Sequence, residues 1–519
     1  MSRAVTLGLL LAVAAALALR CPQLASRPMH NDEAINTIKF RDLWEHNVFQ
    51  YDPGEFHGPS LYYLTLAGEK LTGAPRDFSQ FTEARFRLVT VLFGVGLVLL
   101  LPLIADGLGR RATVWAAFFT AISPAMVFYS RYYIHEMLLV FFTFLALAAG
   151  WRYTRSRKIA WALLAGGAVG LMQATKETFV LALAAMVAAL ILNYLWSRQL
   201  ATAAHVPFKL GFKHAFAALA LWAAVWLVLF SSFFANASGP LDALRTYLPN
   251  LHRAAAASPH VHHWYFYLHR LAFYYSGNGP VWSEALIGIL ALIGIFAAFT
   301  RHGLSDSHPG FIRFLAFYTM ALTAIYSALP YKTPWCLLSF WHGMILLAGV
   351  GAVAILQWTR RKRTKLLAVV ILLAASAQLA CQAWNTSTTF SADHKNPYVY
   401  AQTSPNLLEL VSQIEALANT SPQGRDTVIK VMSPADDYWP LPWYLRQFKN
   451  TGWWNTLPPD PYAPIMVVSA DLHAGLDEKK THVMVGYFTL RPQVFLELYV
   501  QSDLWRAYLD SVKSAPAAK

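Results

Sequence analysis

Charge is what this 519-residue chain has least of: Asp, Glu, Lys and Arg make up only 13% of it, against 56% hydrophobic and 14% aromatic residues. A soluble protein of this length carries about 25% charged residues, so the composition excludes an ordinary soluble enzyme and points to a multi-spanning membrane protein. Cysteine is nearly missing too. Cys21, Cys336 and Cys381 lie far apart without metal-ligand spacing, which excludes a disulfide framework and a cysteine zinc site. No glycine-rich nucleotide fingerprint stands between the apolar segments, in keeping with a substrate that is not a nucleotide. Acid is scarcer than base, 28 residues against 42, for a net charge of +14. The basic residues stand in short runs, GRR at 109–111, RYTRSRK at 152–158 and TRRKRTK at 359–365. That is the pattern of loops facing anionic lipid, and nucleic acid is not an expected partner.

What the chain has in abundance is apolar runs of membrane-crossing length. They lie near 4–20, 87–106, 112–129, 136–151, 159–174, 178–196, 215–234, 284–300, 313–329, 335–357 and 366–384. About 20 residues at 1.5 Å each cross a 30 Å hydrocarbon core, which gives about 11 transmembrane helices. With the N-terminus cytoplasmic, the loops at 107–111, 152–158, 197–214, 301–312 and 358–365 fall inside, and these are the Lys/Arg-rich ones. The outward loops are then 21–86, 130–135, 175–177, 235–283 and 330–334, with everything after 385. They hold nearly all the unusual polar clusters: HNDE at 30–33, FHGP at 56–59, SRYYIHE at 130–136, TKE at 175–177 and PYKTPW at 330–335. Ionisable residues beside a bilayer are costly, so this gathering on one side leads us to expect an extracytoplasmic site.

After Trp384 the chain turns polar. LLELVSQIEALA at 407–418 has helical spacing behind Ser404 and Pro405, while TVIKVMS at 427–433, PIMVVSA at 464–470 and HVMVGYFTL at 482–490 read as buried strands. Helical stretches are expected between and after them, including DDYWPLPWYLRQF at 436–448. The expected fold class is therefore a polytopic α-helical membrane domain over 1–384, with outer loops 21–86 and 235–283, and an extracytoplasmic α/β domain over 385–519.

The acidic pair after the first apolar helix, HGPSLYYL at 57–64, RLVTVLFG at 87–94 and SRYYIHEMLLVFFTFLAL at 130–147 together resemble the GT-C membrane glycosyltransferases. The likeness is to the dolichyl-phosphate-mannose protein mannosyltransferase-like group, glycosyltransferase family 39. More narrowly, YKTPW and DDYWPLPWYLR resemble its prokaryotic branch labelled flippase activity-associated. The resemblance implies a multi-pass protein of the plasma (inner) membrane. It implies transfer of a sugar, with inversion, from a polyprenyl-phosphate donor to a glycan, lipid or protein acceptor at the outer face. It also implies an acidic residue of the first outer loop as base: Asp32, with Glu33 beside it. The second family acid, more often Asp, falls on Glu136.

Physical chemistry assigns the remaining candidates. A leaving phosphate needs fixed positive charge in a low-dielectric site, and Arg87, Arg131, Lys176 and Lys332 stand at the outer ends of the spans; Arg85 competes with Arg87, and it is the family resemblance that favours Arg87. His57 is placed to hydrogen-bond the acidic pair or a sugar hydroxyl. In SPHVHHWYFYLHRLAFYY at 258–275, Trp264 and Tyr267 are candidate contacts for the polyprenyl chain on a membrane-surface helix. His260, His262 and His263 are weak candidates for a divalent metal, since no carboxylate joins them at ligand spacing, and no cofactor is otherwise called for. The rival readings are a non-catalytic factor for translocation or assembly of lipid-linked sugars, and an ion-coupled transporter. The scarcity of charge within the spans speaks against the transporter.

Overall fold

In the computed structural model the described residues are 2–54, 57–199, 211–248, 260–304 and 306–514. The chain packs as two compact units. The first comprises Met1–Leu24, Asp42–Gly73 and Ala84–Tyr400; the second comprises Ala25–Arg41, Ala74–Glu83 and Ala401–Lys519.

The first unit is a bundle of apolar helices, and the protein is a multi-pass membrane protein. Among the described residues eight helices are long and apolar enough to cross a bilayer: Arg3–Arg20, Glu83–Leu108, Glu136–Ser156, Phe179–Gln199, Phe212–Phe230, Pro309–Ala328, Pro334–Trp358 and Lys362–Ser387. Arg110–Ile122 and Pro124–Ser130 make a ninth if the pair, bent by 56°, is one span. The expected eleven apolar stretches are all helical. Two of them, Ile159–Gln173 and Ala285–Thr300, have 15 and 16 residues. At 1.5 Å per residue neither spans 30 Å unaided, so length alone does not carry the count of eleven. Part of the basic loop expected at 197–214, residues 200–210, lies outside the described residues.

The bent pair shows how the bundle satisfies a broken helix. Pro124 has no N–H, which frees the Thr120 carbonyl four residues earlier. The Arg20 guanidinium takes it at 2.8 Å and the Ala121 carbonyl at 2.7 Å. The N–H of Ala125, lost from the same ladder, donates instead to Glu284 Oε1 at 2.8 Å. Arg20 and Glu284 are both buried. Elsewhere small residues set the packing: a Cβ on Gly351 would lie 1.9 Å from the Leu290 carbonyl oxygen, so Ala285–Thr300 and Pro334–Trp358 touch backbone to backbone.

The second unit is built on a mixed five-stranded sheet of β1 (Ile429–Met432), β2 (Thr451–Trp454), β3 (Ile465–Ser469), β4 (His482–Arg491) and β5 (Val494–Gln501), in the order β2-β1-β3-β5-β4. β1 pairs in parallel with β2 and β3, through Val431 opposite Trp453 and Val467, while β5 runs antiparallel to β3 and β4. Helix Asn406–Thr420 buries Leu407, Leu410, Val411, Ile414, Leu417 and Ala418, one face at helical spacing. Three strands fall on the runs that read as buried strands; β2 and β5 were not expected. The helix expected over 436–448 shrinks to Leu441–Tyr444. Pro440 and Pro442 remove two donors within one turn, and Ala435 and Asp436 have left-handed φ of 53° and 57°, which no helix accepts.

Candidate functional site

The acidic pair belongs to the second unit, and its two members are set to different tasks. Helix Asn31–His46 has Asp32 and Glu33 in its first turn, at the positive end of the peptide dipoles. Glu33 folds back. Its Oε2 accepts the His30 backbone N–H at 2.9 Å, and both its oxygens accept from Arg27 Nη2 at 3.1 and 3.0 Å. His30 reciprocates, its Nδ1 accepting the Asp32 backbone N–H at 3.1 Å, so the turn is closed as a capping box. Glu33 is fully buried, whereas 45% of the Asp32 side chain stays exposed. His30 Nδ1 lies 4.0 Å from Asp32 Oδ1, but its lone pair is already taken by an N–H, so no ion pair forms there. The preceding residues are pinned within the same unit: Met29 N–H donates to the Tyr444 hydroxyl at 2.8 Å, and Thr403 Oγ1 donates to the Met29 carbonyl at 2.7 Å. Tyr444 comes from DDYWPLPWYLR, which gives that motif a place in holding the acidic turn.

In the first unit, three polar clusters of the sequence meet. The HGPS segment lies along residues 174–177, with Gly58 N–H on the Thr175 carbonyl at 3.1 Å, Ser60 N–H on the Ala174 carbonyl at 2.8 Å, and the Ser60 and Thr175 hydroxyls 2.7 Å apart. The approach requires glycine: a Cβ on Gly58 would sit 2.2 Å from the Ala174 carbonyl oxygen. Two pairs result. His57 Nδ1 stands 2.9 Å from Glu177 Oε2, and Lys176 Nζ bonds Glu136 Oε1 at the start of helix Glu136–Ser156. His135 donates from Nε2 to the Gly58 carbonyl at 3.1 Å, and its ring meets that of His57 edge-on at 5.2 Å between centroids. Burial alone would raise the Glu177 carboxyl, but His57 and Lys176 outweigh it and hold Glu177 below the usual carboxylate range. Burial would lower the Lys176 ammonium, and Glu136 reverses that, holding it above its usual value. Burial, with His57 and Lys176 nearby, pushes the His135 imidazole well down, so it is neutral.

The other candidates are held by protein oxygens. Arg131 donates from Nη1 to the carbonyls of Leu19, Arg20 and Pro22, at 3.4, 3.3 and 2.7 Å, and from Nη2 to that of Gln23 at 3.1 Å. It thereby caps the C-terminal end of the first span, whose last carbonyls have no helical partner. Buried Arg87 donates to the Leu24 carbonyl at 2.6 Å, so both arginines converge on residues 19–24. Lys332 Nζ bonds the His262 carbonyl at 3.2 Å and that of Leu329, and burial holds its ammonium below the usual value. Trp264 is exposed; Tyr267 is buried beside Tyr326 and Phe340. The expected surface helix is short, Phe266–Ala272. His260 meets the Tyr400 hydroxyl and His262 stacks on Phe266. Among the described residues no three His, Cys, Asp or Glu side chains are grouped to hold a metal. Phe56 of FHGP and Ser258–Pro259 of the aromatic loop lie outside the described residues.

Two acids escaped sequence reasoning. Glu177 was visible as the last residue of TKE, but nothing local ties it to a histidine 120 residues earlier. Glu284 gathers four donors, Ser123 Oγ at 2.5 Å, Tyr398 Oη at 2.5 Å, Ala125 N at 2.8 Å and Trp341 Nε1 at 3.2 Å, and its only local signal is an acid opening an apolar run.

Residues 67–238 match the family model of the dolichyl-phosphate-mannose-protein mannosyltransferases. The chain resembles the crystal structure of ArnT from Cupriavidus metallidurans bound to undecaprenyl phosphate, with a TM-score of 0.63 at 15% identity over 95% of this chain and 98% of that one. The apo structure of the same protein matches with a TM-score of 0.62 at 15% identity, over 96% and 99%. The chain therefore shares the fold of these structures and is GT-C-like. No curated protein matches the sequence.

Proposed function

We propose that the chain is a membrane glycosyltransferase that moves a sugar from a polyprenyl-phosphate donor to an acceptor hydroxyl at the extracytoplasmic face, with inversion. The observation that carries this reading is the match of nearly the whole chain to the structure of ArnT bound to undecaprenyl phosphate. The mannosyltransferase family model over 67–238 supports it independently. In this reading residues 1–384 form the membrane domain, with the N-terminus cytoplasmic, and 385–519 an extracytoplasmic domain.

The reaction forms a bond from the acceptor oxygen to the anomeric carbon as the bond from that carbon to the phosphate oxygen breaks, its electron pair leaving with the phosphate. The acceptor proton needs a carboxylate, which contributes about 10² to 10⁴ in rate as general base. Asp32 is the proposed base, because its carboxylate is exposed on a turn that Glu33, Arg27 and His30 hold in place. Glu33 is thus a positioning residue for Asp32, and Glu136 one for Lys176. Arg87, Arg131 and Lys332, bonded to carbonyls, supply a fixed positive field for the departing phosphate.

The test is release of polyprenyl phosphate from a radiolabelled polyprenyl-phosphate sugar by the purified protein in nanodiscs. Asp32→Asn is expected to lower release about 10²-fold or more while the thermal melt stays that of the wild type. Wild-type protein that never turns over any such donor, while Asp32→Asn abolishes transbilayer movement of lipid-linked sugar in vesicles, would establish the translocation factor instead.

A further inference from the structure

We infer that Glu177 and His57 form a phosphate-binding dyad in which buried Glu177 orients the imidazole and His57 Nε2 donates to the phosphate oxygen of the lipid donor. The inference rests on the glycosyl-transfer reading of the preceding subsection and deepens it.

Glu177 is acceptor-only when ionised, so its contact with Nδ1 at 2.9 Å requires the hydrogen of the ring to sit on Nδ1. Its partners hold the carboxyl below the usual range, so it is ionised at neutral pH. With Nδ1 committed, Nε2 is the one ring position left to meet a ligand, and 41% of the His57 side chain is exposed against 10% for Glu177. The geometry is enforced from three sides. Gly58 brings the backbone of 57–60 onto 174–177, His135 ties down the Gly58 carbonyl, and the His135 ring stands against that of His57.

The charge pattern selects the ligand. Lys176 is matched by Glu136, and the described bonds of Arg131, Arg87 and Lys332 go to carbonyl oxygens of the chain itself. An imidazolium presented at Nε2 adds a donor aimed outward, whereas those four are aimed at the protein. A phosphate oxygen has no hydrogen to give, so it is met by the doubly protonated ring, in a charge-assisted bond. As the sugar departs, the phosphate oxygen released from the anomeric carbon gains negative charge and this bond strengthens, with no proton transfer needed.

The experiment compares binding of polyprenyl phosphate with that of the uncharged polyprenol to the full-length protein in nanodiscs, for wild type, His57→Gln, Glu177→Gln and Glu177→Asp. Wild type is expected to prefer the phosphate, and His57→Gln to cut that preference about ten- to a hundredfold, the worth of one charge-assisted bond. Glu177→Gln is expected to do nearly as much, because an amide still fastens the loop but no longer sets a negative charge against Nδ1 to favour the doubly protonated ring. Glu177→Asp is expected to restore part of the loss. In turnover, both glutamine variants are expected to lower kcat as well as raise KM. His57→Gln decides the matter, since a half-exposed side chain carries little packing and its thermal melt is expected to match the wild type. Phosphate preference unchanged in His57→Gln overturns the dyad and leaves the transferase reading standing. A wild-type protein with no preference for phosphate over polyprenol overturns both.

Discussion

Gly58→Ala is the smallest change that tests whether the junction between HGPS and TKE organises the first unit's polar site. The added methyl would lie 2.2 Å from the Ala174 carbonyl oxygen, 2.4 Å from its carbon and 3.0 Å from the Thr175 nitrogen. All three are backbone atoms, so no rotamer relieves the clash, and the strands of chain must separate by roughly 1 Å to reach ordinary contact. Separation on that scale breaks the Gly58–Thr175 and Ser60–Ala174 hydrogen bonds, each worth about 1 kcal/mol net. Overpacking of this kind costs about 1–3 kcal/mol, so a total of about 3–5 kcal/mol is expected. Gly58 does not have a left-handed φ, which makes the cost steric rather than conformational. Gly68 supplies the control. It lies inside helix Ser60–Thr72 with open space around its Cβ position, so Gly68→Ala is expected to stabilise by about 0.5–1 kcal/mol. Thermal melts in detergent read the signs, and donor turnover reads the consequence for the His57–Glu177 pair. A Gly58→Ala protein with the melt and turnover of the wild type would refute the packing argument.

The Arg27–Glu33 pair predicts strong non-additivity. Glu33→Gln takes the Glu33 charge away from a buried guanidinium and is expected to cost about 3–5 kcal/mol, whereas Arg27→Met with Glu33→Leu costs less than either single change; proteolysis of the purified protein measures it. The Glu177 carboxyl is held below its unfolded value of 4.5 in the folded protein. Its stabilisation is therefore complete above about pH 4.5 and is lost as pH falls through the folded value, so Glu177→Gln is expected to flatten the acid limb of the melting profile. An acid limb unchanged by the substitution would remove Glu177 from the account.

The helices were legible because the hydrocarbon core imposes a length on each, and a run of twenty apolar residues declares itself without reference to any other part of the chain. The Ser123–Pro124 break was equally local in origin, yet its repair was not: nothing near Pro124 says that Arg20 will take the freed carbonyls or that Glu284 will take the Ala125 N–H. The same asymmetry governs the candidate site. Asp32 and Glu33 are adjacent and chemically alike, and the difference between an exposed carboxylate and a buried one is made by Arg27 and His30. DDYWPLPWYLR has the apolar spacing of a helix but two prolines forbid it, and its Tyr444 ends on Met29. For the cations, counting charges at the outer ends of spans overlooked a nearer claimant. Every helix ends in carbonyls with no partner of their own, so an arginine beside such an end meets protein oxygens before any ligand arrives. Arg131 and Arg87 do so at residues 19–24. A group kept for a ligand has to be held by something that satisfies one side of it and leaves the other open, and His57, anchored at Nδ1 by a buried carboxylate, meets that condition.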